Sequence, residues 1–342
     1  MAGPLALGSL CSGYGGLDLA AAAVFGAEPV WHAEVDPGAA RILARHWPDV
    51  PNLGDLTAVD WHRVEPVDVL CAGYPCQPFS TAGKRKGVAD ARHLWPHIAA
   101  ALRVLRPRWV VLENVAGHLS LGFDTVLADL ARLGLDAEWC TVRASDVGAA
   151  HPRRRLFALA RPAHPPGPRR QGEGIPRRPA EHGRAPAAHP LHLGGYRDRA
   201  RRTGRDEPAA HRLPAAHHDG GGLQGGPAGH RQPPALHLTD PHGPDVEWGP
   251  YAPAVHRWER LHGRPAPAPT DALGRLNPAF VEWLMGLPDG WVTATDGLSR
   301  TAQLRALGNG VVPRQAEAAL RHLLDRVTTA DGTGHDGEVR AA

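Results

Sequence analysis

Between residues 161 and 245 the chain has no Val, Phe, Trp or Met, and its only aliphatic side chains beyond Ala are Ile175, Leu191, Leu193, Leu213, Leu223, Leu236 and Leu238. Ordering 85 residues costs far more conformational entropy than burying seven aliphatic side chains returns, so this stretch is expected to be flexible rather than an independent folded domain. Any core must therefore come from what flanks it. The interval 161–270 carries a formal charge of +6 and the remainder −3. A basic, Pro/Arg/His-rich segment suits a flexible arm lying near an anion, although a solvated insertion with no partner explains it equally well. Twelve of the 21 His fall in the same interval without paired Cys/His spacing, so no metal site is expected.

The flanking stretches read very differently. From residue 5 to 160 short apolar runs (5–10, 29–35, 67–73, 109–115, 139–144 and 156–160) alternate with segments of helical periodicity (17–25, 38–46, 97–105 and 124–133). That alternation predicts βαβ units with a parallel sheet: an α/β, doubly wound, Rossmann-like catalytic and cofactor-binding domain over 1–160. After the low-complexity segment, 161–247, order is expected to return at Trp248. Residues 272–327 supply helices (273–287 and 315–327) that complete the domain, and 328–342 reads as a disordered tail. No apolar run is long enough to span a bilayer, and residues 1–16 lack the basic start of a signal peptide, so a cytoplasmic protein without membrane contact is expected. Cys11, Cys71, Cys76 and Cys140 form no CxxC pair and are expected to be free thiols.

The residues suited to chemistry fall where these strands end. Ser12-Gly13-Tyr14-Gly15-Gly16 is a glycine-rich turn between a strand and a helix, where backbone can approach a nucleotide closely; a tight structural turn reads the same way. Glu34 ends the second strand, where a carboxylate can accept ribose hydroxyls, and Asp36 before Pro37 could simply cap a helix. Asp55 follows an expected third strand and could meet an adenine amino group or be an ordinary turn residue. The segment Gly73-Tyr74-Pro75-Cys76-Gln77-Pro78-Phe79-Ser80 delivers a thiol into a proline-bounded loop, as a nucleophile would require. Glu113 and Asn114 follow an apolar strand at the same edge, and Glu113 could protonate a ring nitrogen. The chain's only two lysines, Lys84 and Lys86, flank Arg85 in the loop beyond; alone they would read as a solvated turn.

Taken in order, this set resembles the DNA (cytosine-5)-methyltransferase family. The glycine loop, Glu34, Asp55, Pro75-Cys76-Gln77, Glu113-Asn114-Val115, His151-Pro-Arg153-Arg-Arg155 and Leu307-Gly-Asn309-Gly-Val-Val-Pro313 match successive family motifs over 5–160 and 272–327, and 161–247 has no counterpart. The resemblance implies an S-adenosylmethionine-dependent methyltransferase sheet with a small, largely irregular second region. It implies S-adenosylmethionine as cofactor, S-adenosylhomocysteine as product and no metal, with Cys11, Gly13, Tyr14, Gly15, Gly16, Glu34, Asp55 and Asn309 binding it. Cys76 would attack carbon 6 of an extruded cytosine, Glu113 would act on nitrogen 3, and Arg153 and Arg155 would hold the base and support the site. Pro75, Gln77, Ser80, Lys84, Arg85, Lys86 and Asn114 would meet substrate or duplex DNA. The implied protein is a monomeric bacterial or phage modification enzyme, with a cognate restriction endonuclease acting separately as a partner the family allows.

Departures from the family pattern fall at His151, Cys11 and Val35, and bear on cofactor affinity more than on chemistry. The interval that should hold a target-recognition domain is mostly low-complexity; 248–271 has aromatics and Arg that fit either a reduced recognition segment or packing against the catalytic domain. Alternatives from the same residues are cytosine methylation of RNA and an inactive DNA-binding relative. A nicotinamide oxidoreductase would rest on the glycine loop alone.

Overall fold

The structure, a computed structural model, describes residues 3–75, 94–163 and 246–333. Expectations placed on 164–245, on the loop from Cys76 through Lys86 and on 334–342 lie outside these residues.

Six strands, β1 (Leu5–Leu10), β2 (Ala27–Ala33), β3 (Val69–Ala72), β4 (Trp109–Val115), β5 (Leu135–Val142) and β6 (Arg155–Pro162), form one sheet in the order β2-β1-β3-β4-β6-β5. The first four are parallel, whereas β6 runs antiparallel between β4 and β5. The parallel sheet read from the sequence is thus a mixed one. Only residues 143–154 join β5 to β6, and their regular structure is one 3-10 turn, Ala144–Val147, so no crossover helix returns the chain and the strands pair as a hairpin, Val142 opposite Arg155. The third strand expected before Asp55 is reduced to a single parallel bridge, Asn52 to His32. Pro48 and Pro51 deny that segment two ladder donors.

Four helices, α1 (Gly16–Phe25), α2 (Pro37–His46), α3 (Trp95–Leu105) and α4 (Phe123–Arg132), lie close to the segments of helical periodicity. Alternation along β3 shows the two-sided core. Leu70 and Ala72 join Ile98, Leu102 and Leu130 on one face, while Val69 and Cys71 join Leu17, Phe157, Leu320 and Leu323 on the other.

The C-terminal segment adds α5 (Ala252–His262), α6 (Pro278–Leu284), α7 (Arg300–Asn309) and α8 (Pro313–Thr333). The single helix expected over 273–287 is only α6. Asn277 accepts from Ala279 N and starts it at Pro278, and the chain beyond its end adopts a left-handed turn at Gly286. The final helix runs past Val327 to Thr333, the Thr328 and Thr329 hydroxyls bonding back to carbonyls one turn earlier. In α5, Trp258 is fully buried and donates to Trp283 O, so packing accounts for it, whereas Tyr251 just before α5 is exposed. Among the described residues no helix is long and apolar enough to cross a membrane.

Candidate active site

The carboxyl ends of β1 to β4 open onto a cleft of about 820 Å³, closed on its far side by α7. Its lining brings together Cys11, Gly13, Glu34, Asp55, Pro75, Glu113, Asn114, Arg155 and Asn309, which the sequence draws from seven separate segments. Doubly wound sheets place ligands at this edge because crossovers leave it open.

Each side chain is held by its own local chemistry. Glu34 Oε2 accepts from Gly13 N (2.8 Å) and Oε1 from Asp36 N (2.7 Å), so the carboxylate is fixed while each oxygen keeps a lone pair for a ligand hydroxyl. Gly13 turns with φ +58, a conformation an L side chain rarely adopts. Asn52 accepts from Glu34 N and donates to Glu34 O, tying the lone bridge of the missing strand to the site. Asp55 Oδ1 accepts from Thr57 N and Oγ1, which holds its carboxyl below the usual range. Asp36 caps α2 through Gly38 N and Ala39 N, and its other oxygen pairs with Arg305 at 2.7 Å, clasping the second strand's end to α7. Cys11 lines the cleft too, but burial, reinforced by Glu34 and Asp55, pushes its thiol up to about 12, so it stays protonated.

At the other end Glu113 is buried, with Oε1 3.1 Å from Arg155 Nε. Burial raises its pKa to about 7 against the opposing pull of Arg155 and Arg153, so a proton is available near neutrality. Asn114 donates to Tyr74 O (3.0 Å) and accepts from Val115 N, bolting the chain just before Pro75 to the end of β4. The Tyr74 hydroxyl donates to His118 Nε2 (3.1 Å), whose Nδ1 donates to Leu121 O. Cys76, Gln77, Ser80, Lys84, Arg85 and Lys86 follow immediately in sequence and lie outside the described residues.

Three expected cofactor residues sit elsewhere. Tyr14, Gly15 and Gly16 do not line the cleft. Tyr14 is fully buried, with its hydroxyl donating to Val311 O at 2.6 Å. A Cβ on Gly310 would fall 1.8 Å from its ring and one on Gly16 would fall 2.3 Å from Val311 O, so both glycines serve the junction of the glycine loop with the chain after α7. Arg153, expected to hold the base, donates instead to Gly308 O (2.8 Å) and Gly310 O (2.6 Å), and so fixes the turn that carries Asn309. Asp36, Arg305, Tyr74 and His118 were not singled out as site residues by sequence. Spacing gives no signal for a salt bridge between residues 36 and 305, which only the fold brings together.

S-adenosylmethionine is a cation at its sulfur, and the cleft sets four carboxylates (Glu34, Asp36, Asp55, Glu113) against two guanidinium groups (Arg155, Arg305). The exposed Val35 side chain at the lip offers an apolar surface to a purine. The residues present therefore fit that group. Among the described residues no group of three or more His, Cys, Asp or Glu comes together that could hold a metal.

The fold is a mixed sheet with an antiparallel strand inserted next to its last strand and a cleft at the carboxyl ends of its parallel strands. The S. pombe Dnmt2 methyltransferase shares it, with a TM-score of 0.56 at 16% identity over 94% of this chain and 99% of that one. Residues 5–164 match the family described as C-5 cytosine-specific DNA methylase. The Type II methyltransferase M.NlaIV of Neisseria lactamica is 32% identical over 140 residues, covering 37% of this chain and 33% of that protein. The DNA N-6-adenine-methyltransferase of Escherichia phage P1 is 38% identical over 144 residues, covering 37% of this chain and 19% of that protein. The matched stretch thus spans about a third of the first of these relatives and about a fifth of the second.

Proposed function

We propose that this chain transfers a methyl group from S-adenosylmethionine to carbon 5 of cytosine in double-stranded DNA, as a bacterial or phage modification enzyme. The observation that carries the reading is Glu113, a buried carboxyl with a pKa near 7 that is braced by Arg155 and stands next to Asn114, which holds Tyr74 O two residues before Cys76 in sequence. The match of residues 5–164 to the C-5 cytosine-specific DNA methylase family supports the base and the polymer. Resemblance to Type II methyltransferases supports the modification role.

Cytosine inside a duplex must leave the stack before any thiol can reach carbon 6, at a cost of a few kcal/mol. The Cys76 thiolate adds to carbon 6 while Glu113 gives a proton to nitrogen 3, and the electron pair moves to carbon 5. S-adenosylmethionine supplies the methyl group that carbon 5 takes. Loss of the carbon 5 proton and departure of the thiolate, with nitrogen 3 returning its proton to Glu113, then restore the ring. Arg155 holds Glu113 in place through its Nε contact and offers further donors to the cytosine carbonyl. Glu34 meets the ribose, Asp55 the adenine, and Asn309 closes the cofactor pocket, kept in position by Arg153. Asn114 acts on the nucleophile at one remove, by holding Tyr74 O.

The test is methyl incorporation into duplex DNA and transfer RNA, with the modified base identified by digestion and mass spectrometry. The reading expects 5-methylcytosine in DNA, none with Cys76→Ser, and unchanged S-adenosylmethionine binding by that variant. N6-methyladenine, or label confined to RNA, would overturn it.

A further inference from the structure

Glu282 is a fully buried carboxylate that does not line the cleft and has no ion-pair partner among the described residues. Its Oε1 accepts from Gly290 N (2.7 Å) and Thr293 Oγ1 (3.1 Å), and its Oε2 from Val292 N (2.6 Å) and Thr293 N (2.8 Å). Four donors on one carboxylate fold residues 290–293 into a fixed turn. At the centre of that turn is Trp291, whose ring stacks on His46 at 3.5 Å and 5°. The Trp291 carbonyl accepts from His46 Nε2 (2.8 Å), and Arg45 Nη1 donates to Gly290 O (2.8 Å), so the turn is also strapped to α2.

Held this way, the indole has one polar atom left to place, and Nε1 donates to Tyr14 O at 2.9 Å, in the middle of the glycine loop. The neighbouring Trp47 ring closes the same side, 2.6 Å from where a Cβ on Gly15 would stand. Tyr14 has its hydroxyl committed to Val311 O, so Trp291 supplies a second, independent fastening on its carbonyl. Gly13, one residue away, is the donor that fixes Glu34 in the cleft.

We infer that Trp291, set by Glu282, is a positioning residue for the cofactor-binding loop, acting through Tyr14 O on the geometry of Gly13 and Glu34. The inference rests on the reading of the cleft as the S-adenosylmethionine site. Trp291→Phe keeps an aromatic ring on the His46 side and removes the indole N–H together with the rest of the five-membered ring. Loss of one such bond corresponds to about a fivefold weakening.

The wild-type protein is first titrated with S-adenosylmethionine by calorimetry; absence of binding would sink the cleft reading itself. Given binding, Trp291→Phe is expected to raise both Kd and KM for S-adenosylmethionine about fivefold, leaving kcat at saturation and KM for DNA within twofold. Thr293→Val, which removes one of the four donors to Glu282, should shift the same two constants in the same direction by less, and it serves alone if the Phe variant does not fold. Unchanged affinity for S-adenosylmethionine in a folded variant, or equal losses in kcat and in KM for DNA, would overturn the inference while leaving the cleft reading intact.

Discussion

Beneath the glycine loop, Asp18 on α1 and His32 on β2 are both about 1% exposed, with Asp18 Oδ2 and His32 Nε2 3.6 Å apart. Ser9 Oγ donates to Asp18 Oδ1 at 2.7 Å, but the two facing atoms have no hydrogen-bond partner. Burial raises Asp18 to about 7 in spite of the Ser9 bond, with Glu34 adding to the rise, and burial lowers His32 to about 4. In the folded protein this pair therefore holds one proton from about pH 4 to about pH 7. In the unfolded chain an ordinary Asp is ionised above about pH 4 and an ordinary His protonated below about pH 6.5, which also leaves one proton. The pair thus contributes no pH dependence to stability over most of that window. Asp18→Asn leaves His32 alone, neutral when folded and protonated when unfolded below about pH 6.5. A histidine with a depressed folded pKa loses stability as pH falls, so the variant gains a slope of about 1.4 kcal/mol per pH unit between roughly 4 and 6.5. Asn can also accept from Ser9 and donate to His32 Nε2, which fills the vacant bond. Between pH 5 and pH 7 the stability of Asp18→Asn minus that of wild type should grow by about 2 kcal/mol, the variant being the more stable at neutrality. Urea unfolding of both proteins across this range measures the difference, and every other titrating group cancels in it. A difference that stays constant with pH would refute the assignment of these two groups as a buried, proton-sharing pair.

Other outcomes follow from the same geometry. Glu113 is protonated below and ionised above its raised pKa of about 7, so methyl transfer should decline above neutral pH with a group near that value. Glu113→Gln should lose that limb and about 10²- to 10⁴-fold in rate, as read in single-turnover pH profiles. Tyr14→Phe strands the buried Val311 carbonyl and should cost about 1–3 kcal/mol in chemical unfolding. Arg153→Ala frees the Gly308 and Gly310 carbonyls, and should weaken S-adenosylmethionine binding measured by calorimetry more than it weakens binding of DNA.

Much of the fold was legible because each strand is a short apolar run and each helix a periodic one. β1 and β4 occupy the residues their patterns predicted. The antiparallel β6 was not legible, since apolar alternation carries no direction, and the clue lay in the short, helix-free connection from Val142 to Arg155. The third strand looked plausible until Pro48 and Pro51 are weighed as missing donors. Glu34, Asp55, Glu113 and Asn309 do converge on one cleft, because Glu34 and Glu113 lie at the carboxyl edge of the parallel strands, where the turn carrying Asp55 and the end of α7 also meet it. Tyr14 and Arg153 were misplaced for a common reason: a motif fixes where a residue lies along the chain, while the direction of its side chain depends on partners at 308–311 that pattern alone does not pair with it. Glu282 had one signal, a lone acid within the apolar run Phe280 to Leu287, and a carboxylate in such a run calls for donors that only the folded turn supplies.

The central claim is that the sulfur of Cys76 bonds to the target pyrimidine. Duplex DNA carrying 5-fluorocytosine, incubated with the protein and S-adenosylmethionine, blocks the final elimination because fluorine cannot leave as a proton does. A covalent protein–DNA adduct that maps by mass spectrometry to the peptide containing Cys76, and is absent from Cys76→Ser, is the predicted result. Methylation of unmodified DNA without any such adduct, or an adduct on another residue, would contradict it.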